Sequence, residues 1–220
     1  MTRSELARLL DHSVLKPEST AHDIRVGGDV VRVWGIGFYC VQPVWVGVAA
    51  EGLRGSDARV VSVVGFPHGC ERPATKASAA ALAVAEGAME IDTVMNFGAL
   101  RSGDTSAVAA DLAAVVRAVA GIPVKVILET AALTATEKQL ACRIAVDAGA
   151  AFVKTSTGFH PSGGATVADV RQLRAAVGAK LGVKASGGIR TLADAQAMLD
   201  AGANRIGTSA SAAMLAELRS

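Results

Sequence analysis

The chain has 220 residues, 51% of them hydrophobic and 19% charged, a composition that supports a large buried core and excludes a disordered chain. Lysine plus arginine number 22 and aspartate plus glutamate 20, a net charge of +2, so electrostatics offers no case for a nucleic-acid partner or a membrane surface. Apolar runs such as Ala79–Ala85 fall far short of the roughly 18 residues a spanning helix needs. Glu5 and Asp11 in MTRSELARLLD stand where a signal peptide would require an apolar segment, and a cytoplasmic location is expected. Cys40, Cys70 and Cys142 are widely spaced without a CxxC pair, which argues against a disulfide framework or a zinc site.

In chain order, the predicted strands are Asp11–Leu15, Phe38–Gln42, Val60–Phe66, Glu90–Asn96, Val124–Thr130, Ala151–Thr157, Leu181–Ser186 and Arg205–Ser209. Several, such as VVSVVGF and VKVILET, are apolar on both faces, as parallel strands covered by helices are. Helical spacing predicts helices over Pro73–Gly87, Thr105–Ala120, Thr134–Ala148, Val167–Val177 and Leu192–Ala201. Pro73 suits a first turn, Asp104 an N-cap, and TATE at Thr134 a capping box. Thr20–Gly37 is less regular, with room for a short helix. Eight strands alternating with helices suit one (β/α)₈ TIM barrel spanning 1–220, an α/β fold. A doubly wound sheet is disfavoured because no GxGxxG follows the first strand and no GxxxxGK[ST] occurs.

Charged residues inside apolar strands are costly unless paired or functional. Four occur in successive strands: Asp92 in EIDTVMN, Lys125 in VKVILET, Lys154 in FVKTSTG and Lys184 in LGVKASGG. A structural ion-pair network is one reading. The other counts three lysines against one aspartate and relieves the excess positive charge by leaving one lysine neutral, a nucleophile able to form a Schiff base with a carbonyl. Lys154 and Lys184 lie on adjacent strands, roughly 4.8 Å apart, and each would lower the other's pKa. Asp92 is then a candidate for proton transfer. Asp11, in DHSVLKP, would orient Lys184 if the first strand joins the barrel beside the eighth.

SGGIRT (Ser186–Thr191) and GTS (Gly207–Ser209) follow the seventh and eighth strands, where such barrels commonly build phosphate sites. Gly187 and Gly188 could instead serve only a tight turn, but two matched loops with hydroxyls and Arg190 nearby favour the phosphate reading. His12, His22, His68 and His160 show no metal-ligand spacing, and no metal is expected. His12 and His68 read as polar loop residues, and Cys40 as a small buried hydrophobe near the pocket.

From Asp11 to Ser209, the segments DHSVLKP, GFPHG, EIDTVMNFGAL, VKVILET, FVKTSTGF, VKASGGIRT and RIGTS closely resemble the deoxyribose-phosphate aldolase family of class I aldolases. FVKTSTGF combined with VKASGGIR is the specific part of the match. Ser13 and Gln42 depart from the more usual DHT and CVNP, and Thr93 and Met95 replace more typical apolar neighbours; none of these removes a catalytic group. The resemblance implies a lyase of carbohydrate degradation. It would reversibly cleave 2-deoxy-D-ribose 5-phosphate to D-glyceraldehyde 3-phosphate and acetaldehyde, without a cofactor. It places the Schiff-base lysine at Lys154 and the acid/base pair at Asp92 and Lys184. Gly158, Gly187, Gly188, Gly207 and Ser209 would surround the phosphate, with Asp11 and Lys125 in support. Its partners would be the phosphorylated sugar, aldehydes and further copies of the chain, a homo-oligomer with a dimer favoured. The rival functions are a Schiff-base aldolase or transaldolase on another phosphorylated sugar, a non-catalytic sugar-phosphate binder, and a metal-dependent aldolase.

Overall fold

The computed structural model describes residues 1–218. Its elements in chain order are α1 (Arg3–Leu9), β1 (Leu10–Val14), α2 (Ala21–Trp34), β2 (Phe38–Val41), α3 (Val46–Gly52), β3 (Arg59–Val64), α4 (Pro73–Ala85), β4 (Glu90–Val94), α5 (Phe97–Arg101) and α6 (Thr105–Ala118). These are followed by β5 (Val124–Ile127), α7 (Ala135–Asp147), β6 (Phe152–Lys154), α8 (Val167–Val177), β7 (Gly182–Ser186), α9 (Leu192–Asp200), β8 (Arg205–Thr208) and α10 (Ser211–Ala216). Each strand pairs in parallel with the next, and β1 closes on β8. The result is the (β/α)₈ barrel that the strand–helix alternation implies. No helix among the described residues is long and apolar enough to cross a membrane.

The helix signals act locally as expected. Pro73 occupies the first turn of α4. Thr134 and Glu137 form a reciprocal capping box at the start of α7, satisfying two backbone donors that the first turn leaves orphaned. The irregular stretch Thr20–Gly37 is corrected: it carries the 14-residue helix α2, opened by a Thr20–Asp23 capping box and closed by Gly35 at φ 62°. Two glycines in mid-helix weaken its sequence signal. Packing requires at least one of them, since a Cβ on Gly27 would lie 2.4 Å from the Tyr39 hydroxyl oxygen.

The side-chain period of two divides each strand between two cores. Outward residues such as Val126, Val153, Val183 and Ile206 join the large apolar layer beneath the helices. Inward positions divide again around the barrel. Cys40, Val61 and Val63 on β2 and β3 form a small apolar cluster with Leu15. The opposite wall, from β4 round to β1, places Glu90, Asp92, Lys125, Lys154, Lys184, Arg205 and Asp11 in the interior, all buried.

Candidate active site

Strand register brings the charged residues together. Asp92 stands beside Lys125, Lys154 beside Lys184, and Asp11 beside Gly207. Asp92 is fully buried and accepts from three ammonium groups: Lys125 Nζ reaches Oδ1 at 2.7 Å, and Lys154 Nζ and Lys184 Nζ each reach Oδ2 at 2.8 Å. Lys184 also pairs with Asp11 Oδ2. Below this centre Lys125 Nζ bridges to Glu90 Oε2 at 2.6 Å, and Glu90 accepts from Arg205 at 3.1 Å. Arg205 in turn lies 3.2 Å from the centre of the Phe38 ring. The charges form one continuous ladder along the barrel interior.

This ladder corrects the count of three lysines against one aspartate, because Asp11 and Glu90 are buried carboxylates in the same network. Burial alone would push the Lys184 pKa down. The carboxylates of Asp11 and Asp92 outweigh it and raise the pKa above the ordinary lysine value, so Lys184 is held as an ammonium and its neighbour does not deprotonate it. Burial would likewise raise the Asp92 pKa, but the ammonium groups of Lys125, Lys154 and Lys184 hold it well below the usual carboxylate range. Glu90 was legible from its spacing: two positions before Asp92, it shares the inward face of β4.

A cavity of about 660 Å³ opens above the ladder, and Lys154 and Lys184 reach its wall while Asp92, Asp11 and Lys125 lie beneath it. The far wall carries Gly158, Gly187, Gly188, Gly207 and Ser209, with Lys16 and Arg190 at the rim. Every sequence-predicted site residue therefore lies in or directly under one cavity, Lys125 being the deepest. Gly207 makes room for the ladder, since a Cβ there would lie 3.0 Å from Lys184 Cε and 2.9 Å from Ser186 Cβ.

The glycine wall presents backbone donors to the cavity, the kind of group an anion accepts from. The N–H of Thr157 donates to Glu129, that of Ser186 to Thr155 Oγ1, and that of Ala210 to Thr208 Oγ1. The interleaved N–H groups of Gly158, Gly187, Gly188 and Ser209 have no acceptor among the described residues. Gly187 sits at φ 91° with Gly164 Cα 3.1 Å from where its Cβ would lie, so only glycine permits this close crossing of the two loops.

One of two further side chains at the site differs from its sequence reading. His12 is buried on β1 rather than in a loop, with Nδ1 2.7 Å from Ser211 Oγ, and burial lowers its pKa despite nearby Asp11. Cys40 is buried as expected and also borders the cavity. Burial, reinforced by Asp11, pushes its thiol pKa to about 12. The ligating atoms of Asp11, Cys40 and Asp92 lie within 4.8 Å of one another, the one cluster among the described residues that resembles a metal site. Lys184 Nζ bonds both carboxylates and already supplies the positive charge that a cation would bring.

Residues 9–215 match the DeoC/LacD family aldolases. The chain belongs to that family. It is 53% identical over 218 residues to the deoxyribose-phosphate aldolase of Mycobacterium avium, covering 97% of each chain. It is 54% identical over 211 residues to that of Methanothermobacter thermautotrophicus, covering 94% of this chain and 92% of the relative. Among solved structures, the tetrameric deoxyribose phosphate aldolase of Aeropyrum pernix superposes with a TM-score of 0.91 at 31% identity, over 98% of this chain and 92% of that one. Within this family barrel, sequence reasoning passed over Glu90, Arg205 and Glu129. Glu129 is a buried residue in VKVILET with both carboxylate oxygens 3.3 Å from the Thr157 nitrogen. Its signal was a charged residue at the end of an apolar strand.

Proposed function

We propose that the chain is a class I aldolase that reversibly cleaves 2-deoxy-D-ribose 5-phosphate to D-glyceraldehyde 3-phosphate and acetaldehyde through a Schiff base on Lys154. The observation that carries this reading is the pair of lysines on adjacent strands, both bonded to one oxygen of Asp92 and both reaching the cavity wall. The named relatives support the substrate, and the unpaired glycine N–H groups suit its phosphate.

Lys154 first gives up its ammonium proton to solvent at the cavity wall, and the amine so formed adds to the C1 aldehyde of the open-chain sugar. Lys184, held as an ammonium by its two carboxylates, protonates the carbinolamine hydroxyl, which leaves as water and gives the iminium. The Lys184 amine, acting through a water, takes the proton of the C3 hydroxyl. The C2–C3 electron pair moves into the iminium, glyceraldehyde 3-phosphate departs and an enamine remains. Lys184 returns a proton to the enamine carbon, and hydrolysis frees acetaldehyde and Lys154. Asp92, a carboxylate among the lysines at the outset, fixes their spacing and shares the proton transfers with Lys184. Phosphate binding at Gly158, Gly187, Gly188, Gly207 and Ser209, remote from the broken bond, positions C1 and C3. Assembly into a homo-oligomer, for which a dimer is favoured, is supported by membership of a family in which the Aeropyrum pernix relative is a tetramer.

Borohydride reduction in the presence of 2-deoxyribose 5-phosphate, followed by digestion and mass spectrometry, tests the assignment. The adduct is expected on the Lys154 peptide, and Lys154→Leu abolishes both adduct and turnover. An adduct on Lys184 or Lys125 would overturn the roles. Absence of any lysine adduct in folded wild-type protein would overturn the function.

A further inference from the structure

Among the described residues, Glu129 is the one non-glycine with positive φ, at 58° with ψ 60°, a region that a glutamate seldom occupies unless its surroundings hold it there. It is 1% exposed. Its Oε2 lies 2.6 Å from the Thr157 hydroxyl, and both carboxylate oxygens receive the Thr157 N–H. The Thr157 hydroxyl oxygen then accepts from the Phe159 N–H at 3.1 Å. Bonds from Leu128 N to Lys154 O and from Thr130 N to Thr155 O clamp the same two segments on either side.

All polar hydrogens of Thr157 and the N–H of Phe159 are thus consumed inside the turn. The N–H of Gly158, between them at φ 84°, is left without an acceptor among the described residues. Thr157 and Gly158 line the cavity, whereas Glu129 does not, and Glu129 makes no bond to Lys154, Asp92 or Lys184. We infer that Glu129 is a positioning residue. It locks the Thr157–Phe159 turn so that the Gly158 N–H is presented to the substrate phosphate, and it sets affinity for the phosphorylated end rather than the chemistry at Lys154. This rests on the reading given under Proposed function.

Kinetics of Glu129→Gln and Glu129→Gly with 2-deoxyribose 5-phosphate and with unphosphorylated 2-deoxyribose test the inference. Glycine keeps the left-handed backbone and removes the carboxyl. Glutamine keeps the shape but has one acceptor oxygen where the carboxylate has two. For the glycine variant, KM for the phosphorylated sugar is expected to rise at least about tenfold with kcat within about threefold, the split that marks lost binding rather than lost chemistry. For the unphosphorylated sugar, kcat/KM should stay within about threefold, and glutamine should restore part of the phosphate preference. Equal losses on both substrates, an unchanged preference, or failure of both variants to fold would overturn the inference, because each assigns Glu129 to the fold alone or to nothing. Borohydride trapping of acetaldehyde on wild-type protein separates the two readings. No adduct on Lys154 defeats the aldolase reading, whereas an adduct with an unchanged phosphate preference in the variants defeats only the role of Glu129.

Discussion

Two buried aspartates, each bonded to lysine, sit in ion clusters that differ in charge balance and in access to a cavity. Between α4 and α6, Lys76 Nζ bonds Asp111 Oδ2 at 2.6 Å and the Val94 carbonyl at 2.9 Å, with Lys76 fully buried. Gly65 leaves it room, since a Cβ there would lie 2.8 Å from Lys76 Cε. In the barrel, Asp92 serves three lysines, and two of those lysines reach the cavity. The electrostatics differ in sign. Burial raises the Asp111 pKa above the ordinary value and Lys76 only partly offsets it, whereas three ammonium groups drive that of Asp92 well below. One lysine does not fully compensate a desolvated carboxylate; three do so and leave two amine groups at the cavity wall.

The comparison predicts equal damage to stability and unequal damage to rate. Lys184→Leu strands the buried carboxylate of Asp11, leaves Asp92 with two of its three lysines and removes the mobile proton, so kcat should fall about 10²–10⁴-fold and stability by about 3–5 kcal/mol. Lys76→Met should cost a similar 3–5 kcal/mol by stranding Asp111, measured by urea unfolding, while kcat changes by less than about threefold. Adding Asp111→Leu to Lys76→Met should recover most of that stability, because an apolar pair needs no compensation. A large loss of kcat in Lys76→Met would erase the distinction between the two clusters.

The sequence revealed more of the barrel ladder than of Lys76. A lysine in an apolar strand violates the local pattern and announces itself, as Lys125, Lys154 and Lys184 do. Lys76 lies in PATKASAAALAV, where alanines surround it and a solvent-facing position looks equally good; only the packing of α4 on α6 buries it. Strand existence was legible from apolar runs, but strand ends were not. Val124–Thr130 was expected where β5 ends at Ile127, because the chain stays zipped to Thr155 beyond the last ladder pair until the left-handed turn at Glu129. The charge balance was misjudged for a similar reason. Asp11 and Glu90 sit at or near the first positions of their strands, where a polar residue normally reads as a boundary. Helix α2 was obscured because Gly27 satisfies Tyr39 rather than its own helix.

The smallest expected effect is also the sharpest in sign. Because the folded pKa of Asp92 lies below its unfolded value, Asp92 contributes stability that is complete above the unfolded value of about 3.9 and is lost as pH falls through the folded pKa. Asp111 has the opposite shift. Its folded form holds the proton more tightly than the unfolded chain, so acidification from neutral pH toward about 4 relieves the charged native state and stabilises it. Urea midpoints of wild type, Asp92→Asn and Asp111→Asn across this range separate the two. Wild type should gain on Asp111→Asn as pH falls from neutral toward about 4, while its margin over Asp92→Asn stays flat and shrinks only below that value. Margins that move together would mean that the number of lysines around each carboxylate does not decide its charge. The distinction between a cluster built to hold helices together and one built to keep two amines at a cavity wall would then need another cause.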